Sequence, residues 1–197
     1  QEQLKIAWAS ADIFCSFSDN IQETFGISPI EAMASGLPVV VSDWDGYKES
    51  VRDEVDGFRI PSIMLEGGFG SDLAMSYAME LNYYDRYIGK TSTFVAIDID
   101  HAVVRFDQLF KSEELRKTLG QNGKAHATKK YDWKAIIPAY EELWYALYEL
   151  RSKHKSEKLG TETWPERSDP YMSFSHYPTR QLGDFEVFEL AYENYYQ

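Results

Sequence analysis

The feature that most constrains this chain is a helix with both ends marked, running directly into a buried strand. Ser28-Pro29-Ile30-Glu31-Ala32-Met33-Ala34-Ser35-Gly36-Leu37-Pro38 precedes Val39-Val40-Val41. The Ser28 hydroxyl is expected to cap the helix by accepting a first-turn N–H, with Pro29 at the first helical position and Glu31 closing a capping box. Ile27, Ile30, Met33 and Ala34 recur at helical spacing and make one apolar face. Gly36 suits the left-handed residue that ends a helix, and Pro38 prevents its continuation. The three valines are β-branched throughout, the pattern of a strand covered on both faces.

Residues 12–17 read as a preceding strand, so strand, helix and strand form a βαβ unit of right-handed sense. The segment from Glu23 to Ser28 then lies beyond the carboxyl end of the first strand, where open α/β sheets place their ligands. Glu23 and Glu31 flank a glycine-bearing helix N-terminus, a site suited to an anion. The expected fold is therefore α/β, a Rossmann-like parallel sheet flanked by helices, with a helical C-terminal region.

Glu23-x7-Glu31, with Phe25-Gly26 between and Glu31-Ala32-Met33-Ala34 after, resembles the E-x7-E signature of retaining GT-B glycosyltransferases of the family 4 type. Trp8-Ala9-Ser10-Ala11-Asp12-Ile13-Phe14, Gly36-Leu37-Pro38-Val39-Val40-Val41-Ser42-Asp43 and Asp56-Gly57-Phe58 extend the resemblance. It covers roughly residues 4–60, and more weakly 98–150. The resemblance implies that Glu31 accepts hydrogen bonds from the two ribose hydroxyls of a nucleotide-sugar donor, as an acceptor-only carboxylate can. It implies that Glu23 is catalytic, orienting the donor sugar or supporting positive charge at its anomeric carbon. The N–H groups near Phe25, Gly26 and Ile27 would approach the sugar or diphosphate. Beside these stand plainer readings, in which Glu31 only closes the capping box and Glu23 is a solvated loop residue. The two roles of Glu31 do not exclude each other.

The same resemblance implies sugar transfer with retention of configuration, without a cofactor or required metal. The partners are a nucleotide sugar and a carbohydrate, lipid-linked or small-molecule acceptor. A diphosphate-binding Arg and Lys, and an acceptor site in a preceding N-terminal domain, complete the family's machinery. Gln1-Glu2-Gln3-Leu4 reads as helix interior, so the chain is expected to begin within a domain and to be inactive by itself. Residues 1–152 are assigned to part of a GT-B C-terminal domain, with 61–97 as an insertion, and residues 153–197 to a linker and helical tail. A non-catalytic module for assembly or regulation, and an epimerase or phosphorylase, are the alternative functions.

Composition narrows the partners. The net charge of −12 argues against nucleic acid or an anionic membrane as the main partner. No apolar run is long enough to span a membrane. Cys15, the single cysteine, sits in an apolar context and is expected to be a buried strand residue in a reducing, cytoplasmic compartment. A peripheral position on the inner face of a membrane stays open. His101, His126, His154 and His176 have no metal-ligand spacing and read as surface or cap residues; Lys124, Lys129 and Lys130 read as a solvated basic face.

Further along, a short helix near residues 47–51 and a strand at 58–60 continue the alternation. Gly67-Gly68-Phe69-Gly70 reads as a flexible connection and 72–87 as helix. Gly89-Lys90-Thr91 lacks the earlier glycine of a phosphate loop, with Tyr84 in its place. Asp98-Ile99-Asp100 precedes a helical stripe, so Asp98 is read as an N-cap rather than a metal ligand. Ser112 is expected to cap a helix to Leu119, with a separate helix over 121–130. A long amphipathic helix follows Trp133, then a polar linker-like stretch at 152–182. Phe185, Phe188, Tyr192 and Tyr195 mark a last helix at 184–196.

Overall fold

The computed structural model describes residues 2–153 and 170–183. Helix α1 (Glu2–Ser10) leads into β1 (Phe14–Ser16), α2 (Ile27–Ser35), β2 (Val39–Ser42), α3 (Gly46–Ser50) and β3 (Gly57–Ile60). The three strands form one parallel sheet in the order β1-β2-β3, with Val39 opposite both Phe14 and Gly57. The expected α/β architecture with a parallel sheet is therefore present.

The valine run explains its own burial. Val39, Val40 and Val41 are all fully buried, and their side chains alternate between the two faces of the sheet. Val39 and Val41 pack with Ala32, Met33, Tyr47, Val51 and Ala127 on one side. Val40 packs with Phe58, Ile60, Ala102, Leu109 and Leu119 on the other. The second face is covered by α6 (Ile99–Lys111) and by the first part of α7 (Glu113–Tyr131). Cys15, expected inside, is exposed: β1 is an edge strand among the described residues, and α6 packs over β2 and β3 instead. Leu4 and Ile6 of α1 are exposed as well, and Trp8 is the residue that packs, its ring 5.6 Å from Phe14.

Helix α2 ends as expected. Gly36 is left-handed (φ 88°), its N–H donates to Met33 O, and the Leu37 N–H donates to Ala32 O, the paired bonds of a Schellman motif. Its start differs. Gly26 occupies the cap position at φ 69°, no side chain caps the helix, and Ser28 lies inside the first turn. The Ser28–Glu31 capping box does not form, because a glycine at positive φ begins the helix two residues sooner. Pro29 becomes the third helical residue, still a position whose N–H has no partner within the helix.

Asp98 caps α6, accepting from the His101 N–H at 2.8 Å, and Ser112 caps α7 through the Leu115 N–H at 3.1 Å. The break expected near residue 120 is absent; α7 runs unbroken through Gly120. A Cβ at Gly120 would overlap the Gly36 carbonyl, so this glycine marks a close helix contact rather than a helix end. Helix α8 (Trp133–Lys153) follows, with Pro138 inside it and Tyr140, Leu143, Trp144 and Leu147 of its apolar face exposed.

Residues 61–97 form more than a loop. They contain β4 (Ser62–Leu65), α4 (Ser71–Ala78), α5 (Tyr84–Ser92) and β5 (Val95–Ile97). The helix expected over 72–87 is divided by a turn in which Glu80 has φ 57°. Part of the stretch expected as linker also has structure: it holds α9 (Pro170–Ser173) and β6 (Arg180–Leu182), and β6 completes a second sheet of order β5-β4-β6. A second core of Ile21, Trp44, Met64, Ile88, Tyr171 and Tyr177 joins this sheet to the first. The helix expected over 184–196 lies outside the described residues, as does His154.

Candidate functional site

The loop between β1 and α2 is held at the carboxyl ends of the parallel strands. Ser42, the last residue of β2, donates its hydroxyl to Ser18 O at 2.6 Å, and Trp44 Nε1 donates to Asn20 O at 3.0 Å. Asn20 organises its own turn, accepting from the Gln22 N–H through Oδ1 and from the Glu23 N–H through its carbonyl. The loop is thus tied to the sheet at Ser18 and Asn20 and presents Glu23 immediately after.

Two glycines let α3 close on this loop. A Cβ at Gly46 would overlap the backbone of Thr24 and Phe25, and a Cβ at Gly26 would overlap the Tyr47 ring. Gly26 also holds a φ of 69°, which favours glycine over any residue with a side chain. The result is a compact junction of loop, α2 start and α3.

Within it, Glu23 is half-buried and its Oε2 lies 3.4 Å from the Tyr47 hydroxyl. Tyr47 is itself almost fully buried, and its hydroxyl also lies 2.9 Å from Ser16 Oγ. Burial, before any partner, raises the Tyr47 phenol above its ordinary range; the Glu23 charge adds to this and the Ser16 hydrogen bond works against it. Phe25 is partly exposed with its ring edge-on to Tyr131, centroids 6.0 Å apart, and Ile27 is exposed at the helix start. Glu31 is exposed on the second turn of α2, and its carboxylate has no hydrogen bond or ion pair among the described residues. No side-chain cap occupies the start of α2, whose first N–H groups have no partner within the helix.

His126 is not the surface residue expected of it. Its Nδ1 lies 2.7 Å from Asp56 Oδ2, and Asp56 is fully buried. Arg52 completes the cluster, donating from Nε at 2.9 Å, Nη2 at 2.6 Å and its backbone N–H at 3.2 Å. Burial pushes the Asp56 carboxyl up, but the hydrogen bonds from Arg52 and His126 outweigh it and hold the group below the usual carboxylate range. The imidazole's role was hidden in the sequence because 70 residues separate it from Asp56. A hollow of about 430 Å³ lined by Arg52, Ala125, His126, Lys129 and Lys130 adjoins this cluster, with neither Glu23 nor Glu31 in its lining. Among the described residues no group of His, Cys, Asp and Glu is placed to hold a metal ion, and no helix is long and apolar enough to cross a membrane.

Several known proteins resemble parts of this chain. Residues 1–63 match the family model of glycosyl transferases group 1, a span that contains Glu23, Phe25, Gly26, Ile27 and Glu31. The sulfoquinovosyl transferase of Arabidopsis thaliana is 27% identical over 165 residues, 83% of this chain and 26% of that protein. The phosphatidyl-myo-inositol mannosyltransferase of Mycobacterium leprae is 46% identical over 57 residues, 28% of this chain and 15% of that protein. The sucrose-phosphate synthase structure from Thermosynechococcus elongatus aligns with a TM-score of 0.49 and 21% identity, over 76% of this chain and 28% of that one. The chain thus spans about a quarter or less of the length of these curated relatives.

Proposed function

We propose that this chain carries the donor-binding part of a retaining glycosyltransferase, which moves a sugar from a nucleotide sugar to a carbohydrate, lipid-linked or small-molecule acceptor. In this reading Glu31 accepts from the two ribose hydroxyls of the donor. The N–H groups of Phe25, Gly26 and Ile27 approach the diphosphate or sugar, where the absence of a Cβ at Gly26 leaves room. Glu23 stands beside the donor sugar and supports the positive charge that develops at its anomeric carbon. The bond from that carbon to the diphosphate oxygen breaks, the acceptor oxygen bonds on the same face, and the acceptor's proton passes to the departing diphosphate.

One observation carries the proposal. Glu31 stands exposed, its carboxylate unpartnered among the described residues, one turn into a helix whose N-terminus has no side-chain cap. With the capping box unformed, its carboxylate has no structural task that competes with ligand binding. The resemblance around Glu23 and Glu31, and the match over residues 1–63, point the same way. A preceding domain would supply the acceptor site, and residues 1–197 alone are not expected to transfer sugar. A cytoplasmic location and the assignment of residues 1–152 to a partial nucleotide-sugar-binding domain belong to the same proposal.

The test is calorimetric titration of the whole protein with UDP-glucose and GDP-mannose. Glu31→Gln removes the charge and one of two accepting oxygens; a hydrogen bond to a charged group contributes about 1.5–3 kcal/mol, so binding should weaken roughly 10- to 150-fold. A Glu31→Gln protein that binds its donor as tightly as the unaltered one refutes the ribose role.

A further inference from the structure

We infer that Tyr47 is a positioning residue for Glu23, holding its carboxylate through a directed chain of hydroxyls that begins at Ser16. The inference rests on the reading of Glu23 as the residue beside the donor sugar. The ring of Tyr47 fills the space under Gly26, and its side chain is almost fully buried. Phenylalanine would fill that space equally well, and a buried hydroxyl is retained only where it finds partners. Tyr47 has such partners: Ser16 Oγ at 2.9 Å, on the last residue of β1, the Ser18 hydroxyl, and Glu23 Oε2 at 3.4 Å, in the loop that follows.

The direction of the chain follows from the partners. A carboxylate only accepts, so the single phenolic proton goes to Glu23, and the Ser16 hydroxyl must donate to the Tyr47 oxygen. The raised phenol keeps its proton and stays a donor. The 3.4 Å contact is long, as hydrogen bonds at such sites often are before substrate tightens them. Tyr47 touches no reacting atom in this scheme; it acts by fixing where the Glu23 carboxylate points. Its own position is rigid, because α3 is pressed onto Thr24 and Phe25 at Gly46 and its core face is buried with Val39 and Val41.

A double-mutant cycle tests this on the whole protein, with UDP-glucose and GDP-mannose as donors and release of nucleoside diphosphate as readout. Tyr47→Phe should lower kcat about 10- to 100-fold, the scale of a misplaced catalytic group. Donor Kd should stay within about twofold and the thermal midpoint within a few degrees, since ring packing is kept. Added to Glu23→Gln, Tyr47→Phe should cause no further loss beyond about threefold, because coupled residues are not additive. Ser16→Ala should give a smaller fall in kcat in the same direction, and it decides the question if Tyr47→Phe fails to fold.

If Glu23→Gln lowers turnover while Tyr47→Phe does not, Tyr47 is a packing residue and the inference is wrong, though the site reading stands. Full additivity of the two substitutions also overturns it. If Glu23→Gln is without effect, or neither donor is turned over by the unaltered protein, the site reading itself falls and the inference falls with it.

Discussion

Individual carboxylates in this chain have sharply different environments, and their expected behaviour follows from what each one touches. The Glu31 carboxylate makes no hydrogen bond or ion pair among the described residues. Because it closes no capping box, Glu31→Ala should leave stability within about 0.5 kcal/mol, the range of ordinary surface changes. Thermal unfolding checks this, and a larger loss would mean that the box forms after all. Asp56 is the opposite case, fully buried and held by Arg52 and His126. Its folded pKa is depressed, so its contribution to stability is complete above the unfolded value of about 3.9 and is lost as pH falls through the lower folded value. Asp56→Asn should therefore destabilise by about 1–3 kcal/mol at neutral pH. The gap to the unaltered protein should narrow below about pH 4. Denaturant midpoints from pH 3 to 7 measure it, and a gap that stays constant across that range would contradict the account.

At the scale of elements, α2 and α7 pack backbone against backbone. Gly120 lies against the Gly36 carbonyl, where backbone cannot yield, whereas a Cβ at Gly123 would lie 3.0 Å from Met33 Cγ, on a flexible side chain. Gly120→Ala should therefore force the helices apart and destabilise by about 1–3 kcal/mol. Gly123→Ala should cost less, offset by alanine's better helix propensity. Equal midpoints for the two variants in urea would show that the helix pair moves more freely than this packing implies. The same contact explains why two helices were expected where one exists. Gly120 carries a helix-ending signature in sequence, and only the proximity of Gly36 reveals its other use.

Over the whole molecule, the second core links distant segments to the candidate site. Tyr177 packs edge-on to Trp44 at 5.4 Å, and Trp44 in turn holds Asn20 of the loop before Glu23. Lys48 Nζ donates to the carbonyls of His176 and Pro178, so the same segment also grips α3. Tyr177→Ala should destabilise this unit by about 3–5 kcal/mol, as truncation of a buried aromatic does. Amide exchange should quicken at 62–65, 180–182 and 20–23, while the valine strand at 39–42 stays protected. Uniform exchange across all of these would show that the two sheets unfold as one unit.

Local chemistry was sufficient for much of this architecture. The valine run, the Gly36 helix end and the caps at Asp98 and Ser112 depend on neighbours within a few residues, so periodicity and side-chain type determine them. The pair Glu23 and Glu31 was likewise visible as a pattern, placed beyond β1 by the strand–helix–strand order. What only the tertiary structure decided involves partners far apart in sequence. Gly26, rather than Ser28, begins α2 because that loop must pass over the Tyr47 ring. His126 meets Asp56 across 70 residues, and β6 joins β4 across more than 100. Cys15 is exposed because helix coverage stops short of the edge strand, a matter of where α6 lies rather than of the residues around the cysteine. Short-range hydrogen bonds and hydrophobic period are written in consecutive residues; burial and long-range pairing are set only when the elements pack.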